Sequence, residues 1–496
     1  MLIFDLPQEV LLLFCKYLDI SSLCSLARSN SAFTDVAQQV IFRHLILSAS
    51  GIATNLPIIL DTIIRQPGLA DHVRTVKVSP KGRRWGFSRP RPGLRHASRE
   101  LAWHTEVLVS LTDAWGKSKI DAERWRGGLL EGDEDAQTAL LLVLLPSVVV
   151  LDLVFTSSDR PRDESRPYDL ESTYVWQVLR RHTAHDLPDQ YRHSLSQVRR
   201  LSIHGTRYRF QLFFPLEEAL YMTTSFEKLE SLRIAHASIK ESFDTSATLA
   251  VPKALTSLEL DSCDLGSSNA SLAAILQVLP PLKTLIIKNH IRPVHDSDGR
   301  PRLRDELLPD VDTMLDVIHT HQPTLHTFYL GTGDDNAIAE GADPTPSTQG
   351  LASFKQLRQV AVLDKCIWRN EGQDVEDVAT IFKSWFPSSV EEVRLSHTRD
   401  YMDRDLEALS MIMPDIKKSY PSLRLIAIEA RETYIEAAQD EIRTLMDQAT
   451  TQGIEMMAVA CPPIDSIYAA QREGKSGGAG AIRVCGYLGT SPTDGA

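Results

Sequence analysis

The sequence predicts an α/β protein, with an N-terminal three-helix module followed by an α/β solenoid whose strands form a curved parallel sheet. Three observations predict it. A strand-sized core of the form apolar-x-x-apolar-x-apolar recurs along most of the chain, stretches with helical spacing separate the cores, and the first 47 or so residues follow a helical rhythm throughout.

Composition sets the outer bounds. A chain of 496 residues is too long for one compact core, and 43% apolar with 24% charged residues lies close to globular averages. The net charge of -12 makes the protein a poor general binder of nucleic acid or anionic membrane. Cys15, Cys24, Cys263, Cys366, Cys461 and Cys485 are scattered, with neither a CxxC pair nor a Cys/His quartet. Reduced thiols in the cytosol or nucleus are expected, rather than a disulfide framework or structural zinc. The apolar opening, DLPQEVLLLFCKYLDISSL, lacks a basic leader and is interrupted by Asp5, Glu9 and Lys16, unlike a signal peptide. Ala139 to Phe155, the longest other apolar stretch, contains Pro146 and Asp152 and is too short to span a bilayer. A soluble intracellular protein is expected.

Residues 1–47 form the helical module. Pro7 suits a first helical turn with Asp5 as cap, and Val10, Leu11, Phe14, Tyr17 and Leu18 recur at helical spacing. Asp19-Ile20-Ser21 restarts a helix through Leu23, Leu26 and Ala27, and a third carries Val36, Val40, Ile41 and Leu45. Leu6, Leu12, Leu13 and Leu23 exceed what one internal face of so small a module can hide, which implies a partner surface.

Residues 48–147 are a helical and basic-loop connection with a first irregular repeat, whose strand core is VRTVKV from Val73 and whose loop, Arg83–Arg99, has Arg83, Arg84, Arg89, Arg91, Arg95 and Arg99 around Trp85 and Phe87. The solenoid occupies 148–471. Its cores are VVVLDL from Val148, VRRLSI from Val198, LESLRI from Leu229, LTSLEL from Leu255, LKTLII from Leu282, LHTFYL from Leu325, LRQVAV from Leu357, VEEVRL from Val390, LRLIAI from Leu423 and IEMMAV from Ile454. From Val198 the cores start 26 to 43 residues apart, room for one strand, one helix and two turns. Proline precedes four of them, in LPSVVVLDL, LPPLKTLII, QPTLHTFYL and YPSLRLIAI, where it stops a helix and fixes an extended approach. A Gly-rich tail, 472–496, is expected to be disordered.

The repeats resemble leucine-rich repeats of a degenerate, helix-containing kind, with Cys263 and Cys366 near the position where such repeats carry Asn or Cys. The opening LPQEVLLLFCKYLDISSLCSLARSNSAF resembles an F-box, with departures at Ser29 and Asn30. In that family the module docks on the Skp1 adaptor of cullin-RING ubiquitin ligases. By position, the resemblance assigns that contact to Leu6, Pro7, Glu9, Val10, Leu18, Leu23 and Leu26.

Other motifs have plainer readings. In HTHQPTLH, His319 and His321 end a helix and His326 lies in the next strand unit, a poor metal set. His182 and His185 lack the glutamate of metalloprotease chemistry. Neither GTGDDN from Gly331 nor GAGAIR from Gly478 completes a phosphate-binding fingerprint, and EGDED from Glu131 reads as a solvated helix start. No enzyme activity, cofactor or metal is expected.

On the inner face of a solenoid, the third and fifth core positions and the residue after the core point outward. They give Arg200, His204, Arg233, Glu259, Asp261, Lys288, Tyr329, Glu392, Arg394 and Glu429 as substrate-binding candidates. Such a mixed, charged set suits a protein target better than a small apolar ligand. With the F-box resemblance, the expectation is a ligase adaptor in the cytoplasm or nucleus that joins a Skp1-type adaptor to a target protein. A repeat scaffold capped by its own N-terminal helices, and an RNA- or chromatin-associated binder using the Arg83–Arg99 loop, are the alternatives.

Overall fold

The computed structural model describes residues 6–48, 52–79, 104–115, 119–155, 173–183, 194–205, 214–224, 226–239, 251–263, 265, 269–289, 293–295, 301–303, 311–332, 350–363, 367, 374–396 and 402–461. The chain divides into two units, Met1–Ser238 with Ser246–Leu255, and Ile239–Thr245 with Thr256–Ala496.

The first unit opens with helices α1 (Gln8–Cys15), α2 (Ile20–Ser29) and α3 (Ser31–Arg43), followed directly by strand β1 (His44–Ser48). It continues as α4 (Ile52–Arg65), β2 (Thr75–Ser79), α5 (Thr105–Trp115), α6 (Lys119–Glu131), α7 (Glu134–Leu144), β3 (Val150–Phe155), α8 (Tyr174–Thr183), β4 (Arg200–Gly205), α9 (Leu216–Thr223) and β5 (Ser231–Ala235). Strands β1 to β5 pair in chain order, all parallel. Helices pack on their neighbours, α4 on α7, α5 on α6 and α7 on α8.

The second unit contains β6 (Ser257–Cys263), α10 (Asn269–Val278), β7 (Thr284–Asn289), α11 (Val311–Ile318), β8 (Thr327–Thr332), β9 (Gln359–Leu363), α12 (Val375–Trp385) and β10 (Glu392–Ser396). It ends with α13 (Met402–Ile412), α14 (Ile416–Ser419), β11 (Leu425–Arg431), α15 (Glu432–Ala437), α16 (Gln439–Thr451) and β12 (Glu455–Cys461). Its strands also pair in chain order and in parallel. Except between β8 and β9, where no helix lies among the described residues, a strand–helix–strand step recurs within each unit without reversal, as parallel pairing demands of a chain.

The repeated core explains the repeated step. Its first residue, from Val73 through Val148, Val198, Leu229, Leu282, Leu325, Leu357 and Val390 to Leu423, is fully buried. Each such side chain contributes about 1.5–3 kcal/mol by leaving water. A tight turn often sets it in place: Val198, Leu229, Leu357, Val390 and Leu423 donate their N–H to the carbonyls of Leu195, Phe226, Phe354, Pro387 and Tyr420, three residues earlier. The second core residue then presents its carbonyl to the next strand and accepts two N–H groups. Arg199 O receives Glu230 and Ser231, Lys283 O receives His326 and Thr327, and Arg358 O receives Glu391 and Glu392. One face of each strand is buried and the other is partly open, as in Val150–Phe155 and Arg200–Gly205.

Several expectations need correcting. The third N-terminal helix stops at Arg43, and Leu45 belongs to β1, where it is buried in register with Val76. Among the described residues of 48–147 are the strand β2 and the helices α4 to α7, with β2 pairing in parallel with β1 and β3. EGDED is not a solvated helix start throughout. Asp133 caps α7 by accepting from Asp135 N and Ala136 N, with Gly132 at φ +80° turning the chain into the cap. Asp135 is 3% exposed, and its carboxylate receives the backbone N–H groups of Tyr174 and Val175. The polar residue is buried because it closes the start of α8 from a distance.

The three histidines separate. His319 stacks on Phe354 at 5.1 Å, and His326 Nδ1 lies 2.7 Å from Thr324 O. His321 is buried, with Nδ1 accepting from Leu282 N and Nε2 3.2 Å from Leu276 O. The Asp5 cap, the Arg83–Arg99 loop, His185, Cys366 and the tail from 472 lie outside the described residues. Cys15, Cys24 and Cys263 are free thiols. Among the described residues, no helix is long and apolar enough to cross a membrane.

Candidate interaction surfaces

Two kinds of surface stand out, one helical and one on the sheets. Leu11, Cys15, Leu23, Phe33, Val36 and Ala37 form the centre of the N-terminal module, with Leu6, Leu12, Leu18 and Leu26 packed against it. Asp19 accepts from Ser22 N at 2.7 Å and starts α2, which fixes the corner between the first two helices. A second apolar stripe faces outward: Val10 is 44% exposed, Leu13 53%, Phe14 47%, Tyr17 84% and Ile20 68%. Residues 10, 13, 14 and 17 have i, i+3, i+4, i+7 spacing, so α1 carries apolar residues on two faces.

The seven residues assigned to adaptor contact divide accordingly. Pro7, Glu9 and Val10 are exposed, and Leu6, Leu18 and Leu26 are half-buried against the module core. Leu23, at 2% exposure, lies within that core, so any contribution it makes to a contact is through packing. Phe14 and Tyr17, which the spacing placed on the regular apolar face, are on the outside, together with Ile20.

On the strands of the first unit, register aligns Ile46, Lys77, Asp152, Ser202 and Arg233 across β1 to β5. Asp152 is the hub of this face. Its carboxylate receives Lys77 Nζ at 3.0 Å and His204 Nε2 at 3.2 Å. Burial pushes its pKa up, but the His204 and Lys77 contacts outweigh burial and hold it below the usual carboxylate value. Arg200 is exposed and makes no ion pair among the described residues. Lys77 and Asp152 were missed as candidates, although the same core positions, applied to VRTVKV and VVVLDL, would have selected them.

On the strands of the second unit, Glu259, Tyr329 and Arg394 lie on one cross-strand row with Ile286, Ala361 and Ala427. Lys288 Nζ is 3.9 Å from Asp261 and 5.5 Å from the centre of the Tyr329 ring. That ring lies against Gly331, where a Cβ would come within 2.7 Å of it. Arg394 Nη1 is 3.6 Å from Glu429 Oε1, and Ser396 Oγ donates to Glu429 Oε2 at 2.9 Å. Glu429 is thus 7% exposed rather than free on an open face. Glu392 joins a polar chain in which it accepts from Gln359 Nε2 and from Arg424 Nη2. The structure brings together Lys288, Asp261 and Tyr329, and separately Arg394 and Glu429. Neither cluster has the nucleophile–base–orienter geometry of a hydrolytic site.

No protein-family model matches the chain, and no curated protein matches it.

Proposed function

We propose that the chain is a substrate-recognition adaptor of a Skp1–cullin–F-box ubiquitin ligase. The N-terminal helices dock on Skp1, the partly open sheet faces of a leucine-rich-repeat-like solenoid hold a target protein, and the ligase supplies the ubiquitin. The observation that carries this reading is the outward stripe of Val10, Leu13, Phe14, Tyr17 and Ile20 on a module whose interior is already filled. Apolar area of that kind is the signature of a protein partner. The adaptor performs no bond chemistry. Tethering raises the target's local concentration to roughly the mM range, which makes transfer effectively intramolecular. A cytoplasmic or nuclear location goes with this reading.

One observation favours the scaffold alternative. Helix α3 runs without a break into β1, and α3 packs on the turn Pro67–His72, so the module is built into the first unit. A mere cap, however, has no use for the outward stripe.

Co-expression with Skp1 and a pull-down separates the two. The intact chain is expected to retain Skp1. A Leu13→Asp/Tyr17→Asp variant, altered only at exposed positions, is expected to fold and lose it, since central anchors cost about 2–4 kcal/mol each. The Leu6→Ala/Pro7→Ala variant reads the packed edge of the same surface. Failure of the intact, folded chain to retain Skp1 would leave the scaffold.

A further inference from the structure

We propose that the segment Ile482–Leu488 adds to the outer edge of β12 as one more parallel strand, so that the chain covers its own sheet edge. This concerns the end of the second unit and stands whether or not the chain serves a ligase.

β12 is an edge of the kind that attracts a partner. Among the described residues it pairs with β11 alone, in an unbroken register from Leu425 with Glu455 to Arg431 with Cys461. Its seven residues, EMMAVAC, hold one charge, at Glu455, and neither Lys nor Pro. Folded proteins blunt a bare edge with short strands, prolines, bulges or lysines, or they cover it. With the first four devices lacking in β12, cover is what is left. The core is also less closed on this side. Ala458 is half-buried, whereas Ile428, aligned with it on β11, is fully buried.

The joint for a further strand is already in place. Glu392, Leu425 and Glu455 share one row, and the carbonyl just before each is the acceptor for the next strand. Glu391 O takes the N–H groups of Arg424 and Leu425, and Arg424 O takes that of Glu455. Ile454 holds the same position on β12, and its carbonyl receives no N–H among the described residues. Backbone groups of a parallel strand alternate between its two neighbours, so the N–H and C=O of Met456, Ala458 and Ala460 face the same edge.

The chain supplies a strand to match. The segment lies outside the described residues, and its fit is a matter of sequence. In IRVCGY, Ile482, Cys485 and Tyr487 repeat the apolar-x-x-apolar-x-apolar core, 28 residues after Ile454, where the other cores from Val198 onward start 26 to 43 apart. Residues 462–481 connect the two, more than the dozen or so that a parallel crossover requires. They open with Pro462-Pro463, which stops a strand. Ser466 and Gly474 then bracket IYAAQRE as cap and stop bracket a short helix, and a glycine-rich turn follows. Val484 and Leu488, at the third core position and just after the core, are apolar like Met457 and Val459, half-buried on the open face of β12. Such cross-strand pairs stabilise a sheet. The third core residue donates to the preceding strand, as Ser231, Thr327, Glu392 and Leu425 do. Here that residue is Val484, so its N–H is assigned to the Ile454 carbonyl, and the N–H of Cys485 faces away from β12.

The test is hydrogen exchange resolved to single amides, on the full-length protein and two full-length variants. In the unaltered chain the amides of Met456, Ala458 and Val484 are expected to be protected. Val484→Pro, which removes the donor of the joint, is expected to speed exchange at Met456 and Ala458 by about tenfold or more, while the amides of β10 stay slow and show that the fold is intact. Cys485→Pro, whose lost N–H faces away, is expected to leave the protection of β12 in place.

Fast exchange of Met456 and Ala458 in the unaltered chain overturns the inference, because the edge is then open to water. Protection that survives Val484→Pro overturns it too. Light scattering on the same sample then names the real cover, a second copy where the mass is doubled and another segment of the chain where it is not. Release by both prolines alike overturns the parallel register assigned to the segment.

Discussion

Asp135 shows how much a single side chain can carry. Its carboxylate receives two N–H groups at the start of α8, 39 and 40 residues further along the chain, while Asp133 beside it caps α7. Burial, with the charge of Asp133 added, pushes the Asp135 carboxyl well above the ordinary range. Removing the side chain leaves two buried donors without a partner. Asp135→Ala is therefore expected to cost about 2–6 kcal/mol in urea unfolding, at the usual 1–3 kcal/mol for each of the two unsatisfied groups. A change within ±0.5 kcal/mol, typical of surface positions, would show that α8 finds another cap. The acidic run EGDED could not reveal this role. Composition marks a helix start, but the helix that needs the buried carboxylate lies in a distant part of the sequence. His321 was equally opaque, because its two bonds go to Leu276 and Leu282 in the preceding repeat, 45 and 39 residues earlier.

At the scale of elements the sequence was far more informative. All eleven apolar cores correspond to strands, because the pattern records a physical requirement, one buried first residue followed by alternation. The strand it missed, β1, begins one residue after α3 ends and has no lead-in of its own. A better signal for these strands lies three residues before the core, where Leu195, Phe226, Phe354 and Tyr420 are buried and their carbonyls close the approaching turn. On α1 both stripes were visible, but spacing alone could not say which faced inward. Turns depend on single positions. Gly350 has φ +61°, and a Cβ there would lie 2.9 Å from the Trp385 carbonyl oxygen at the end of α12. Leu351 N donates to that same oxygen, so the turn closes the helix end. Gly350→Ala meets both the left-handed backbone penalty and the contact. It is expected to cost about 2 kcal/mol or more in chemical unfolding; the ordinary Gly→Ala gain in chain stiffness would be the contrary result.

For the whole molecule, the titrating groups predict the shape of stability against pH. Burial holds the His321 imidazole below its usual pKa, with the Leu276 carbonyl opposing in part. A folded-state value lower than the unfolded one means that the unfolded chain binds the proton first. That contribution is present above about pH 6.5 and is lost as pH falls through the folded value. Asp152, held low by His204 and Lys77 against its burial, acts with the same sign at lower pH, below the usual carboxylate value of about 3.9. Asp135, held high, acts oppositely: its contribution is present at low pH and fades as pH rises through its folded value. Melting followed by circular dichroism is expected to show a first decline as pH falls below about 6.5, and His321→Asn is expected to flatten that limb; an unchanged limb would assign it to other groups. Finally, the carbonyl that takes two N–H groups from the following strand has a consequence for descent. Because most strands within each unit meet the next through the same pair of acceptor bonds, a gene can gain or lose a whole period of some thirty codons and still find its joints waiting. Loss of a single codon inside a core, by contrast, turns its outward residues inward. Such a chain lengthens or shortens by paragraphs and is spoiled by a single letter, which gives its lineage an easy way to change what it recognises while keeping how it is built.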